Sequence, residues 1–239
     1  MDYLITGSNR GLGLELVREG ARLGHGIIAG CRKKSDELSA IADKYRELVY
    51  IQMMDVTDTE SVKKAAAETA KRFGCLNGFI NNAAVLYGSK YDTRDPATTI
   101  DLDECAITLN TNVMGIIKVM KFFMPLVYAA SGDRCIMNIS TEGAILRDTG
   151  HQYASYAASK CAVNGYTQRI RNYFASQPDK MDIRVYMIHP GRMDTVMGRE
   201  NAQIQASESA QGIWSIIERR TDVNSSIPFY DYLGNSMLK

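Results

Sequence analysis

Tyr3-Leu4-Ile5-Thr6-Gly7-Ser8-Asn9-Arg10-Gly11-Leu12-Gly13 decides the fold of this 239-residue chain. A short apolar run with strand character opens directly into a turn rich in glycine. A helical pattern follows, with Leu12, Leu16, Val17 and Leu23 on one face and Gly24 as its stop. Strand, glycine-rich turn and helix, in that order, are the context of a dinucleotide-binding fingerprint. The glycines let the main chain approach a pyrophosphate, and the helix N-terminus supplies N–H donors and a partial positive charge. The spacing is G-x-x-x-G-x-G rather than G-x-G-x-x-G, and the competing reading is an ordinary glycine-rich turn.

Outward from that turn, strand-like and helix-like segments alternate without a visible linker or repeat. Strands are predicted near 2–6, 26–31, 48–54, 76–81, 133–140, 182–189 and 227–230, and helices near 11–24, 36–46, 59–73, 101–130, 153–176 and 207–220. In the long fourth helical region Val113, Ile116, Ile117, Met120 and Met124 keep helical spacing, and Gln177-Pro178-Asp179 ends the fifth. Such βαβ alternation predicts an α/β fold: one Rossmann-type, doubly wound parallel sheet with helices on both faces, spanning 1–239 as a single domain.

Tyr156-Ala157-Ala158-Ser159-Lys160 places a phenol and an ammonium four residues apart, on one face of a predicted helix. A tyrosine titrates near pH 10, and a neighbouring cation lowers that value toward the range acid–base catalysis needs. Taken alone, a Tyr-x-x-x-Lys pair is more often a solvated helix face.

Together the two motifs resemble the short-chain dehydrogenase/reductase family, and further segments extend the resemblance over nearly the whole chain. The Thr-Gly-x-x-x-Gly-x-Gly loop is Thr6 to Gly13, which makes Gly7, Ser8, Asn9, Arg10, Gly11, Leu12 and Gly13 candidate cofactor-binding residues. Asp55, followed by Val56, matches the aspartate after the third strand that binds the adenine amino group in the family. Asn81-Asn82-Ala83-Ala84 matches Asn-Asn-Ala-Gly with Ala84 in place of glycine, and Asn112-Val113-Met114-Gly115 matches Asn-x-x-Gly. Ser140, at the end of the apolar run Ile136-Met137-Asn138-Ile139, looks like the catalytic serine. Pro190-Gly191-Arg192-Met193-Asp194-Thr195 matches the turn beside the nicotinamide, adding Pro190, Gly191, Met193 and Thr195 to the cofactor set beside Asn82 and Ala83.

The resemblance implies a hydride-transferring oxidoreductase that reduces a ketone or aldehyde reversibly, with Asn112, Ser140, Tyr156 and Lys160 as catalytic residues. Tyr156 would be the general acid/base and Ser140 would hydrogen-bond the same substrate oxygen. Lys160 would lower the Tyr156 pKa and hold the nicotinamide ribose, and Asn112 would support Lys160 through a water. The glycine loop and the segments 207–214 and 229–234 resemble the carbonyl-reductase and C-factor-like members. The alternatives are a 3-oxoacyl thioester reductase and a non-catalytic NADP(H)-sensing regulator. Regulators of that kind usually lose the tyrosine or lysine, and both stand here.

Cofactor choice turns on the end of the second strand, Cys31-Arg32-Lys33-Lys34. An acidic residue there would accept from the ribose 2′-hydroxyl of NAD. Arg32 can instead grip a 2′-phosphate, and Arg10 is the second basic position that NADP-preferring members carry. The reading is NADP(H) over NAD(H), against the competing view that 32–34 is a solvated charge run.

Tyr153 has Ala157, not lysine, four residues on, and so reads as a pocket or packing residue. Pocket walls are predicted at Tyr87, Leu146, Tyr153, Met193 and Met197, and the stretch 147–151 is placed to loop over the substrate site.

A net charge of +1 points to neither nucleic acid nor an anionic membrane. The apolar stretch Val113–Val127 is broken by Lys118, Lys121 and Pro125 and falls short of the roughly 20 residues of a membrane span. The five scattered cysteines read as reduced thiols in a cytoplasmic protein, and the three dispersed histidines give no metal set. The helical regions 101–130 and 153–176 carry many apolar and small residues, such as Val113, Ile116, Met120, Ala162 and Val163. Phe122, Phe123, Leu126, Val127 and Tyr173 suggest a second apolar stripe beyond the core-facing one, hence a homodimer or homotetramer.

Overall fold

In the computed structural model, residues 1–88, 95–146, 150–195, 197, 202–224 and 226–238 are described. They form a sheet of seven strands: β1 (Asp2–Thr6), β2 (Gly26–Cys31), β3 (Val49–Met53), β4 (Gly78–Asn81), β5 (Arg134–Ile139), β6 (Ile183–His189) and β7 (Phe229–Asp231). Every pairing is parallel and the order is β3-β2-β1-β4-β5-β6-β7. The chain winds outward from β1 to β3, then crosses back to begin the other half at β4. The point between β1 and β4 is where such sheets open a crevice at their carboxyl ends.

Alternate residues of each strand feed two cores, as a period of two demands. Tyr3, Ile5, Ile27 and Ala29 pack under α1 (Gly11–Arg22), α2 (Asp36–Lys44) and α7 (Ala206–Ile217). Leu4, Ile28, Phe79 and Ile136 pack under α3 (Thr59–Phe73), α5 (Gly115–Tyr128) and α6 (Ala154–Ala175). On the first face Trp214 of α7 stacks on His25 at 4.6 Å, meets Tyr3 edge-on at 5.3 Å and donates its indole N–H to Leu16 O at 2.9 Å. A Cβ on Gly20 would lie 2.4 Å from that indole ring, so only glycine lets α1 and α7 pack this closely.

The predicted helix at 101–130 proves to be α4 (Leu102–Leu109), a π-helical turn at Asn110–Met114 and then α5. Single π turns inside α-helices are rare and often mark functional positions. No periodicity argument could locate this one; within it the Asn112 side chain is engaged by the main chain of Val85.

The apolar stripe expected to pair with a second copy is mostly consumed inside the subunit. Ile116, Met120, Phe123, Leu126, Val127 and Val163 all belong to the second core, while Tyr173 remains 50% exposed. Among the described residues no helix is long and apolar enough to cross a membrane.

Candidate active site

The carboxyl ends of β1, β2, β4, β5 and β6 open onto one continuous cleft of about 1150 Å³. Of the residues singled out from the sequence, Gly7, Asn9, Arg10, Gly11, Leu12, Arg32, Asp55, Val56, Asn82, Ala83, Ser140, Tyr156, Lys160, Pro190, Gly191, Met193 and Thr195 line it. Ser8, Gly13 and Asn112 do not line it and are buried.

Backbone geometry explains the glycine loop. Gly7 and Gly11 have φ of +69° and +54°, in the left-handed region that favours glycine. A Cβ on Gly13 would fall 2.1 Å from Gly7 O and 2.6 Å from Asn82 Nδ2, so this glycine lets α1 start directly against the turn. Asn82 braces the same turn, donating to Thr6 O at 2.9 Å, while Thr6 Oγ1 accepts from the Asn82 and Ala83 N–H groups at 3.0 Å. Ser8 points away from the cleft and donates to Ile5 O at 2.7 Å. The result is a main-chain cradle at a helix N-terminus, a shape that fits a pyrophosphate. Arg10 and Arg32 reach the cleft from separate loops, both exposed and neither in an ion pair with a described residue. Asp55 lines the wall between them, its Oδ1 accepting from Thr57 N at 2.8 Å. The donor set and the cradle together fit a dinucleotide.

The other end of the cleft holds the catalytic candidates. Tyr156 and Lys160 share one face of α6, with Lys160 Nζ 5.6 Å from the Tyr156 ring centroid. Lys160 is 1% exposed and donates to Ile139 O at 2.7 Å, which ties it to the end of β5 beside Ser140. Ser140 Oγ lies 2.6 Å from Asn164 Oδ1. Asn112 is fully enclosed, and all its polar atoms are used. Its Oδ1 accepts from Val85 N at 2.8 Å, and its Nδ2 donates to Val85 O and Ser159 Oγ, both at 3.0 Å. Asn112 therefore fixes the strand end after Asn82 to the catalytic helix and makes no direct bond to Lys160.

Burial sets the protonation states in a way the sequence argument did not anticipate. The Tyr156 phenol is pushed up to about 12, because the cleft wall strips phenolate of part of its hydration although the side chain is only half-buried. The Lys160 ammonium is pushed down to about 8 for the same reason. In the protein alone the expected depression of Tyr156 by Lys160 is absent, and desolvation shifts both groups toward their neutral forms. At neutral pH this leaves a protonated phenol beside a cationic lysine, the pairing a proton donor needs. Raising pH through 8 discharges Lys160 long before Tyr156. An activity that depends on the Lys160 cation, read as kcat/KM because that reports groups of the free protein, should fall as pH rises through about 8. In Lys160→Arg the residual activity should show no break there; an unchanged break in a pH–rate profile would assign it to another group.

Three features were not read from the sequence: the Arg192–Glu142 pair, the left-handed backbone of Tyr153 and Asn164 beside Ser140. Arg192 and Glu142, from the loops after β6 and β5, form an ion pair of 2.7 Å across the cleft. Tyr153 enters α6 with φ +58°, a left-handed conformation rarely taken by a bulky residue, and its ring lines the cleft. Asn164 was also missed, although its position four residues beyond Lys160 was a usable signal. Of the predicted pocket walls, Tyr153, Met193 and Met197 line the cleft. Leu146 is 93% exposed and Tyr87 36% exposed, and neither lines it. Arg147, Asp148 and Thr149 lie outside the described residues, while Gly150 and Gln152 border the cleft. Ala84 replaces the family's glycine without strain, since Tyr153 and Arg219 are the only described non-glycine residues with positive φ.

With this fold and this cleft, residues 3–206 match the family of short chain dehydrogenases, and the chain belongs to that family of oxidoreductases. It is 30% identical over 203 residues to a trans-4-hydroxycyclohexanecarboxylate dehydrogenase of Sinomonas cyclohexanicum, covering 81% of this chain and 73% of that one. Among solved structures it resembles the carbonyl reductase Sniffer of D. melanogaster, with a TM-score of 0.82, 26% identity and 98% of each chain covered. An NADPH-bound carbonyl reductase from chicken fatty liver shares the fold at a TM-score of 0.82 and 24% identity, covering 98% of this chain and 97% of that one. These neighbours agree with the carbonyl-reductase-like resemblance of the sequence.

Proposed function

We propose that this protein is an NADP(H)-dependent reductase of ketones or aldehydes, working reversibly on a small-molecule carbonyl or alcohol. The observation that carries this reading is the convergence of Tyr156, Lys160 and Ser140 at one end of a cleft whose other end presents Arg10 and Arg32. The carbonyl reductases among its structural neighbours, one of them NADPH-bound, support the same reading.

Bound NADPH would supply the hydride; the chain supplies binding, orientation and the proton. The loop Gly7–Gly13 would hold the pyrophosphate, Arg10 and Arg32 the 2′-phosphate, Asp55 and Val56 the adenine. Pro190, Gly191, Met193 and Thr195 would line the nicotinamide pocket. A carbonyl oxygen seated between Tyr156 and Ser140 accepts hydrogen bonds from both hydroxyls. As negative charge develops on that oxygen, the Tyr156 proton transfers to it, and the buried Lys160 cation offsets the phenolate left behind. Asn112 fixes the helix that carries both groups, through its bonds to Val85 and Ser159.

A screen of ethyl acetoacetate, diacetyl, benzaldehyde and an acetoacetyl thioester, following NADPH absorbance, tests the function. Turnover of the thioester alone would move the assignment to 3-oxoacyl thioester reduction. No turnover with tight NADPH binding would favour a sensing role.

Cytoplasmic residence and self-association complete the reading. All five cysteines are unpaired, as thiols are in a reducing compartment. Ile107, Leu109 and Met114 are 48%, 39% and 45% exposed along α4 and the π turn, an apolar surface left for a second copy. Light scattering at micromolar concentration should return a homodimer or homotetramer, and a mass of 26.6 kDa would refute it.

A further inference from the structure

The Ser140 hydroxyl is engaged from behind. Ser140 is 1% exposed, and its Oγ donates to Asn164 Oδ1 at 2.6 Å. Asn164 stands one helical turn beyond Lys160 and two beyond Tyr156, so the three side chains share a face of α6. That helix is locked to β5 on both sides of Asn164. Lys160 Nζ donates to Ile139 O at 2.7 Å, and Thr167 Oγ1 accepts from Asn138 Nδ2 at 2.8 Å. The Ser140 main chain is held in turn by Ile188 O, which accepts its N–H at 2.7 Å. The hydroxyl and the amide are therefore presented to each other by fixed elements.

A serine hydroxyl has a single proton to donate. While that proton is directed at Asn164 Oδ1, none remains for a substrate carbonyl, which only accepts. An asparagine, however, carries an acceptor and a donor at the same reach, exchanged by a half-turn of its amide. After that half-turn Nδ2 donates to Ser140 Oγ and the serine proton is free to point into the cleft. We propose that Asn164 is a positioning residue for carbonyl reduction: it takes the Ser140 proton in the resting enzyme and donates to the Ser140 oxygen when a carbonyl binds. This rests on Ser140 being the second donor to the substrate carbonyl, as proposed above.

Asn164→Asp separates the two halves of this role, since an ionised aspartate keeps the acceptor and loses the donor. With NADPH and ethyl acetoacetate, diacetyl or benzaldehyde, Asn164→Ala should lower kcat several-fold to roughly tenfold, the scale of one neutral hydrogen bond. Asn164→Asp should lower it by roughly ten- to a hundredfold, because a charged acceptor holds the serine proton more tightly. NADPH Kd and thermal midpoint should stay near wild type in both. In a Ser140→Ala background neither change should lower kcat further, as residues acting through one group are not additive. Full activity in Asn164→Asp, or losses that multiply with that of Ser140→Ala, would overturn the assignment. A substrate-free arm reads the contact itself. The Asn164 side-chain amide signal, identified by its loss in Asn164→Asp, should shift on Ser140→Ala, and an unmoved signal would overturn the contact. Wild-type protein inactive on all three carbonyls, with that signal shifted, would count against carbonyl reduction and leave the hydroxyl–amide contact standing.

Discussion

Tyr156→Phe should reduce carbonyl turnover by roughly 10²–10⁴-fold, the usual scale for a positioned acid–base group, with NADPH binding and thermal midpoint nearly unchanged. The phenyl ring keeps the packing of a half-buried side chain and removes only the hydroxyl. That hydroxyl makes no hydrogen bond to a described residue, so no structural partner is orphaned by its loss. The variant isolates chemistry for that reason. With a phenol held at about 12, the wild type at neutral pH carries the proton that the reduction consumes. The reverse oxidation needs the phenolate and should accelerate with rising pH. A Tyr156→Phe protein that retained most of its activity on every carbonyl tried would remove Tyr156 as the acid. A protein that lost activity together with its fold would instead show a lowered midpoint in the same preparation.

The sequence made the scaffold legible because its signals are local. A glycine that must adopt positive φ, as at Gly7, or accept a carbonyl at a blocked Cβ position, as at Gly13, is marked by its own identity. Tyr156 and Lys160 are four residues apart, and helical geometry alone brings them to one face. The strand and helix ends came within a few residues, since alternating apolar runs set them. What the chain hid was non-local. The π turn at Asn110–Met114 carries Asn112, which holds Val85, twenty-seven positions away in sequence. The Glu142–Arg192 pair joins two loops fifty positions apart. The rise of the Tyr156 phenol in the protein alone was not legible in the sequence, because a neighbouring charge can be read from spacing, whereas desolvation depends on everything packed around the pair. The apolar residues of α5 misled for a related reason. A helix covered by a sheet on one side and by α3 and α6 on its flanks buries more than a single stripe.

Cofactor preference offers the second large effect. Arg32→Asp should shift cofactor use from NADPH toward NADH by roughly tenfold to more than a hundredfold, from charge-assisted hydrogen bonds of about 1.5–3 kcal/mol. Arg32 follows the buried Cys31 at the end of β2 and lines the cleft, exposed and without an ion-pair partner among the described residues. A guanidinium so placed is free to meet a phosphate with two parallel N–H groups. An aspartate there accepts from a ribose 2′-hydroxyl instead and repels a 2′-phosphate. Solvent screens an exposed pair, which places the expected change nearer the lower bound unless Arg10 shares the phosphate. Arg10 caps α1 from the glycine loop and lines the same cleft, so Arg10→Ala should weaken NADPH while sparing NADH. The measurement is kcat/KM for each cofactor at fixed carbonyl. Equal use of NADH and NADPH by the wild type would sink the assignment. A switch in Arg32→Asp with an unchanged maximal rate would place its effect in binding alone, as expected of a residue at the far end of the cleft from Tyr156.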